Sequence, residues 1–76
     1  MPELPVLKLR EVLSALSKLG FQQVSQKGSH MKLKKFAGGK AFVVIVPSHG
    51  EIRRGTLKAI IRQSGATLEE FLKALE

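Results

Sequence analysis

The chain has 76 residues, no cysteine and no aspartate, and thirteen Lys and Arg against six Glu give it a formal net charge of +7. That length supports a single domain, residues 1–76, with a marginal core that buries about 60% of the surface the unfolded chain exposes. Without cysteine there is no disulfide or thiolate metal site, which fits a reducing compartment. With no secretion signal in Met1–Leu7 and no apolar run longer than Ala41–Val46, the expectation is a cytoplasmic protein without a membrane segment.

Val6, Leu9, Val12, Leu13, Leu16 and Leu19 recur at helical spacing, so the chain opens with an amphipathic helix over about Leu7–Leu19, stopped at Gly20. Phe21–Gln26 reads as a short strand with Val24 inward, and Lys27-Gly28 as its turn. Ser29–Phe36 is a second strand whose alternation points Met31 and Leu33 to the core and His30, Lys32 and Lys34 outward. Ala37-Gly38-Gly39-Lys40 is a tight hairpin connection, because paired glycines supply the positive φ of the primed turns. Ala41–Val46 is the third strand, ended by Pro47, and Ser48–Arg54 is a loop. Gly55 or Thr56 caps a helix that buries Leu57, Ile60 and Ile61 up to Gly65. Thr67-Leu68-Glu69-Glu70 is a capping box opening a last short helix through Phe71, Leu72 and Leu75. The expected fold class is α+β: α-β-β-β-α, like a double-stranded-RNA-binding domain, with helices on one face of a three-stranded antiparallel sheet.

The charge is one-sided along the chain. No acidic residue lies between Glu11 and Glu51, yet Lys18, Lys27, Lys32, Lys34, Lys35 and Lys40 do. Such an imbalance serves a polyanion, or else forms a plain solvated face. Arg53 and Arg54 stand just before a helix N-terminus, where the dipole favours anions, and Arg54, Lys58 and Arg62 continue as a stripe at i, i+4 and i+8. Lys27, Lys32, Lys34, Lys35, Arg53, Arg54 and Lys58 are therefore the expected RNA contacts.

His30 is the candidate catalytic residue. On a lysine-rich face its imidazole can take the proton of a ribose 2′-hydroxyl, with neighbouring ammonium groups holding the phosphate. The alternative is an ordinary exposed histidine. If Gly38-Gly39 is a two-residue loop, Ala37 faces Lys40 and His30 faces Pro47, which makes His49 a diagonal neighbour and an auxiliary acid; a loop histidine with no role is the alternative. Six scattered Glu and no Asp offer no carboxylate site for Mg²⁺, and two His without Cys or Asp offer no zinc site, so no cofactor is expected. Ser29 beside His30 forms no triad, since adjacent strand residues point to opposite faces. With no Trp or Tyr, base stacking on aromatics is not expected either.

Lys27-Gly28-Ser29-His30, then Val46-Pro47, then Gly55-Thr56-Leu57 and Ile60-Ile61 leading to Gly65 follow an order and spacing that resemble the HicA family, the small YcfA-like mRNA interferase toxins of toxin–antitoxin pairs. The resemblance runs from about Leu9 to Gly65. It implies a double-stranded-RNA-binding-like fold, ribosome-independent mRNA cleavage in a stress response, and a HicB-type antitoxin that covers the active site; the family's catalytic histidine falls on His30. Two features depart from it: the first helix starts near Lys8 without a Ser or Thr cap, and the tail Thr67–Glu76 extends past the family pattern. The leading reading is a metal-independent endoribonuclease in which His30 is the base and Lys32, Lys34 and Arg54 stabilise the phosphorane. A non-catalytic RNA-binding module on the same surface is the alternative. The all-apolar run Phe42–Val46 raises a third reading, a strand whose second face needs a protein partner.

Overall fold

The computed structural model describes residues 4–76, and its elements follow closely from the apolar periodicities. A two-residue strand β1 (Leu7–Lys8) leads straight into helix α1 (Leu9–Lys18). Leu7 therefore belongs to a strand and the helix begins two residues later than its spacing suggests. Lys8 is the N-cap but has no acceptor side chain. Only the return half of a capping box forms, with the Glu11 carboxylate accepting from the Lys8 backbone N–H at 3.0 Å. Val12, Ala15 and Leu16 are the buried stripe of α1.

Three antiparallel strands follow, β2 (Gln22–Lys27), β3 (His30–Ala37) and β4 (Lys40–Pro47), in the spatial order β2-β3-β4. Gly28-Ser29 is the connection of the first hairpin, so β2 runs one residue further than its turn signal implies and Lys27 pairs with His30. The Gly38-Gly39 connection holds both glycines at positive φ (59° and 76°), and the register it sets is the expected one, from Ala37 opposite Lys40 to His30 opposite Pro47. β2 differs from expectation. Its register slips between Gln23 and Ser25, which leaves Val24 as the extra residue of a bulge, 52% exposed rather than inward.

Residues 48–54 are not all loop. Glu51–Ile52 forms a strand, β5, that pairs with β1 through Leu7 opposite Ile52 and Lys8 opposite Glu51. Helix α2 (Arg54–Ser64) then starts earlier than expected, with Arg53 rather than Gly55 or Thr56 in the extended N-cap conformation. It ends at Gly65, whose φ of 74° is left-handed and whose hydrogen faces Phe42 so closely that a Cβ there would lie 2.6 Å from the ring. Helix α3 (Leu68–Ala74) opens on the expected box: Thr67 N–H donates to Glu70 Oε1 at 2.8 Å, and Glu70 N–H donates to Thr67 Oγ1 at 3.1 Å.

One apolar core joins the layers. Val12 and Leu16 of α1, Leu57 and Ile60 of α2 and Phe71 of α3 pack with Met31, Leu33, Val44 and Val46 of the sheet. All these sheet residues share one face, so the helices cover that face alone. Among the described residues no helix is long and apolar enough to cross a membrane.

Candidate nucleic-acid interface and catalytic centre

The face of the sheet that the helices leave bare carries the candidate site. Along β3 burial alternates from exposed His30 to buried Met31, exposed Lys32 and buried Leu33. Parity therefore places His30, Lys32, Lys34 and Phe36 in one outward row, about 6.6–6.8 Å apart from each to the next. Cross-strand pairing sets their neighbours. His30 lies between Lys27 and Pro47, Lys32 between Ser25 and Ile45, and Lys34 between Gln22 and Val43. Lys27, His30 and Lys32 thus form a cationic end of the sheet around an exposed imidazole.

Ser29 sits in the turn, before the strand begins, so strand alternation does not govern it. Its hydroxyl reaches to 3.5 Å from His30 Nδ1. That is longer than a well-formed O–H to N bond, and it is the imidazole's side-chain neighbour rather than a charge partner. His49 follows where the ladder stops: Ser48 N–H still donates to the Ser29 carbonyl at 2.8 Å, and His49 then lies exposed in a bend. The two histidines belong to the same end of the β3–β4 ladder, but strand pairing does not continue through His49 to fix it as a diagonal neighbour.

Lys35 takes a different position. It points to the helix side of β3, with its ammonium 5.4 Å from the centre of the Phe21 ring and 5.7 Å from that of Phe42. Its stem covers Gly20. It is a cation held over aromatic faces on the side away from His30.

The arginines form a second cationic group. Arg53 caps α2, Arg54 is its first residue, and both line a shallow depression with Val6, Glu51 and Gly55. Arg54 Nε donates to the Leu4 carbonyl at 2.7 Å, a link across fifty residues that ties the N-terminal segment to α2. Lys58 and Arg62 continue along the exposed side of the helix. Because α2 packs on the buried face through Leu57, Ile60 and Ile61, this stripe belongs to the helix layer, not to the row on β3. The bend after Pro47 is the covalent bridge between the two groups.

Beside the β3 row, β4 shows Val43 (36% exposed) and Ile45 (39%) on the same outward face, with Val44 and Val46 wholly buried behind. β4 is an edge strand, and part of that edge is already closed: the Ile45 N–H donates to Gln63 Oε1 of α2 at 3.1 Å. Residues 9–66 match the family described as "HicA toxin of bacterial toxin-antitoxin". The chain belongs to the HicA toxin family. Its match begins at the first residue of α1 and ends just beyond the α2 cap at Gly65. The HicA frame here is thus α1, the three-stranded sheet, β5 and α2. Strand β1 and helix α3 lie outside it, as the sequence-level resemblance implied for the tail. HicA proteins are toxins of toxin–antitoxin pairs and in general cleave mRNA. No curated protein matches the chain.

Two features escaped the sequence. The Arg54–Leu4 link is long-range and has no local signal. Phe36 was placed only as a strand end, although its parity with His30, Lys32 and Lys34 was readable.

Proposed function

We propose that this HicA chain is a metal-independent endoribonuclease, an mRNA interferase acting in the cytoplasm, with His30 as general base. The observation that carries this reading is His30 itself: an exposed imidazole on the bare sheet face, flanked by Lys27 and followed by Lys32 and Lys34 in one row. In the proposed reaction His30 removes the proton from a ribose 2′-hydroxyl, whose oxygen forms a bond to the adjacent phosphorus. The bond to the 5′-oxygen breaks, and that oxygen takes up a proton from an acid, for which exposed His49 or water is available. Lys32, next to His30 in the row, offsets the extra charge on the phosphorane, Lys34 meets the next phosphate along the strand, and Arg53, Arg54 and Lys58 hold flanking phosphates. Nothing in this scheme needs a metal, in keeping with a sequence that has no Asp and only scattered Glu.

The same face suits a HicB-type antitoxin. Carboxylates of a partner would replace RNA phosphates at the lysines, while Val43 and Ile45 offer the apolar contact that slows dissociation. A complex that co-purifies yet leaves cleavage unaffected would contradict occlusion of His30.

The test of the reaction is cleavage of a single-stranded RNA in EDTA, with analysis of the product ends. The expected ends are a 2′,3′-cyclic phosphate or 3′-phosphate and a 5′-hydroxyl. Activity that requires Mg²⁺, or that leaves 5′-phosphates, would overturn the scheme.

A further inference from the structure

The geometry points to Phe36 as a platform on which one nucleobase of the RNA stacks, fixing the position of the strand relative to His30. The inference rests on the RNA-cleaving reading above and adds a contact to it.

Four phenylalanines are present, and three serve the fold. Phe21 and Phe71 are buried, and half-buried Phe42 packs against Gly65 and beneath Lys35. Phe36 is 76% exposed. The sheet explains why its ring stands open. Its partner on β4 is Ala41, too small to cover it, and the pairing of β2 starts at Gln22 opposite Lys34, so no residue of β2 lies opposite Phe36. The ring occupies the far end of the row that starts at His30, about 20 Å away along the strand.

The surroundings indicate what the ring would receive. Lys34 Nζ lies 5.4 Å from its centroid, and exposed Lys32 follows in the same outward row. A nucleotide satisfies both parts of this surface at once, since its base offers a π face to the ring and its phosphate offers an anion to the ammonium groups. An apolar protein surface would meet the ring but strand the lysines against it. Between the two ends of the row, Lys32 and Lys34 recur at a spacing comparable to that of successive phosphates in an extended single strand. Scissile phosphate at His30 and stacked base at Phe36 then form two fixed points of one bound strand. Stacking remote from the reacting atoms acts equally on the bound substrate and the transition state, so it sets KM and leaves kcat alone.

The experiment measures binding to a 2′-O-methyl RNA, which the proposed chemistry cannot cut, and cleavage of the matching all-ribose RNA. Both are done for wild type and for Phe36→Ala, Phe36→Leu and Phe36→Trp, with a set of RNAs that each carry one abasic nucleotide. Phe36→Ala is expected to weaken binding roughly 5- to 150-fold and to raise KM with kcat unchanged. Phe36→Trp should bind like wild type and Phe36→Leu like the alanine variant. At one abasic position wild type should fall to the level of Phe36→Ala, which should lose nothing more there. Thermal melting should be unchanged throughout. If wild type cleaves RNA and Phe36→Ala binds and cleaves as well, the stacking inference fails and the cleavage reading stands. A Phe36→Ala variant that keeps its RNA affinity but loses an acidic protein partner assigns the ring to that interface and overturns the inference. If wild type neither binds nor cleaves RNA, the underlying reading fails and takes this one with it.

Discussion

The two faces of the β3–β4 hairpin are built from alternate residues of the same eighteen-residue stretch, His30–Pro47, yet they share almost nothing chemically. On one face Met31, Leu33, Val44 and Val46 are buried against three helices. On the other His30, Lys32, Lys34 and Phe36 stand beside Val43 and Ile45 with no layer over them. The buried face is occupied by residues that any small α+β domain needs. The bare face carries a row of cations that repel one another and an aromatic ring left in water, neither of which helps folding. A strand can hold both because its side chains alternate. Stability and function are thus separable here residue by residue, and substitutions a single position apart should have opposite consequences.

The largest expected effect is on the bare face. His30→Ala should lower the single-turnover cleavage rate by about 10²- to 10⁴-fold, the usual contribution of a general base, and leave the melting temperature within a degree or two. A variant that unfolds instead would mean that His30 belongs to the fold. On the buried face Leu33→Ala should cost about 2–5 kcal/mol in chemical denaturation while the folded fraction cleaves at the wild-type rate. Gly65→Ala should cost at least about 1–3 kcal/mol, since alanine must adopt a left-handed backbone and also push Phe42 aside. A smaller effect separates the cations. Lys32→Ala and Lys34→Ala should each flatten the dependence of log affinity for single-stranded RNA on log salt by about 0.7, whereas Lys35→Ala should leave that slope alone. Equal slopes for all three would erase the distinction between the faces.

The smallest effect lies at the start of α3, in the helix layer. The Thr67 backbone N–H donated to Glu70, with its hydroxyl contact and the charge of Lys35 adding to it, holds the Glu70 carboxyl below its ordinary range. A carboxyl depressed in the folded state contributes stability that is present above its unfolded value and is lost as pH falls through the folded one. Urea denaturation of Glu70→Gln should therefore show a modest deficit at neutral pH that disappears in acid. Cleavage should not change.

Much of this was legible in the sequence because period and turn chemistry acted locally. Met31 and Leu33 alternating with lysines fixed the faces of β3, and Gly38-Gly39 was short enough to set the register that brings His30 opposite Pro47. What was not legible had no period to read. Val24 is turned outward by a one-residue bulge that only the pairing with β3 reveals. Two-residue strands such as β1 and β5 carry no alternation, and their pairing depends on a contact between distant segments. Arg53 caps α2 although its side chain cannot accept a capping bond, so a search for Ser, Thr, Asn or Asp passed over it. Lys35 shows how charge and parity can point apart: its charge groups it with Lys32 and Lys34, while its parity with Leu33 puts it on the helix side, over Phe21 and Phe42. At the site, His30 and its lysine neighbours were readable. The loop that holds His49 was readable as well, whereas its position relative to His30 was not, because the ladder stops at Pro47.

The division between the faces is tested most directly by following side-chain signals in NMR during titration with the 2′-O-methyl RNA. Val43 and Ile45 report on the bare face, Val44 and Val46 on the buried one, and the His30 imidazole on the reaction centre. The account predicts that the methyl groups of Val43 and Ile45 and the His30 ring signals shift with a common saturation curve, while those of Val44, Val46 and Leu33 stay in place. Shifts centred on outward residues of α1 or α3, such as Ser14 or Lys73, with His30 unmoved, would contradict it.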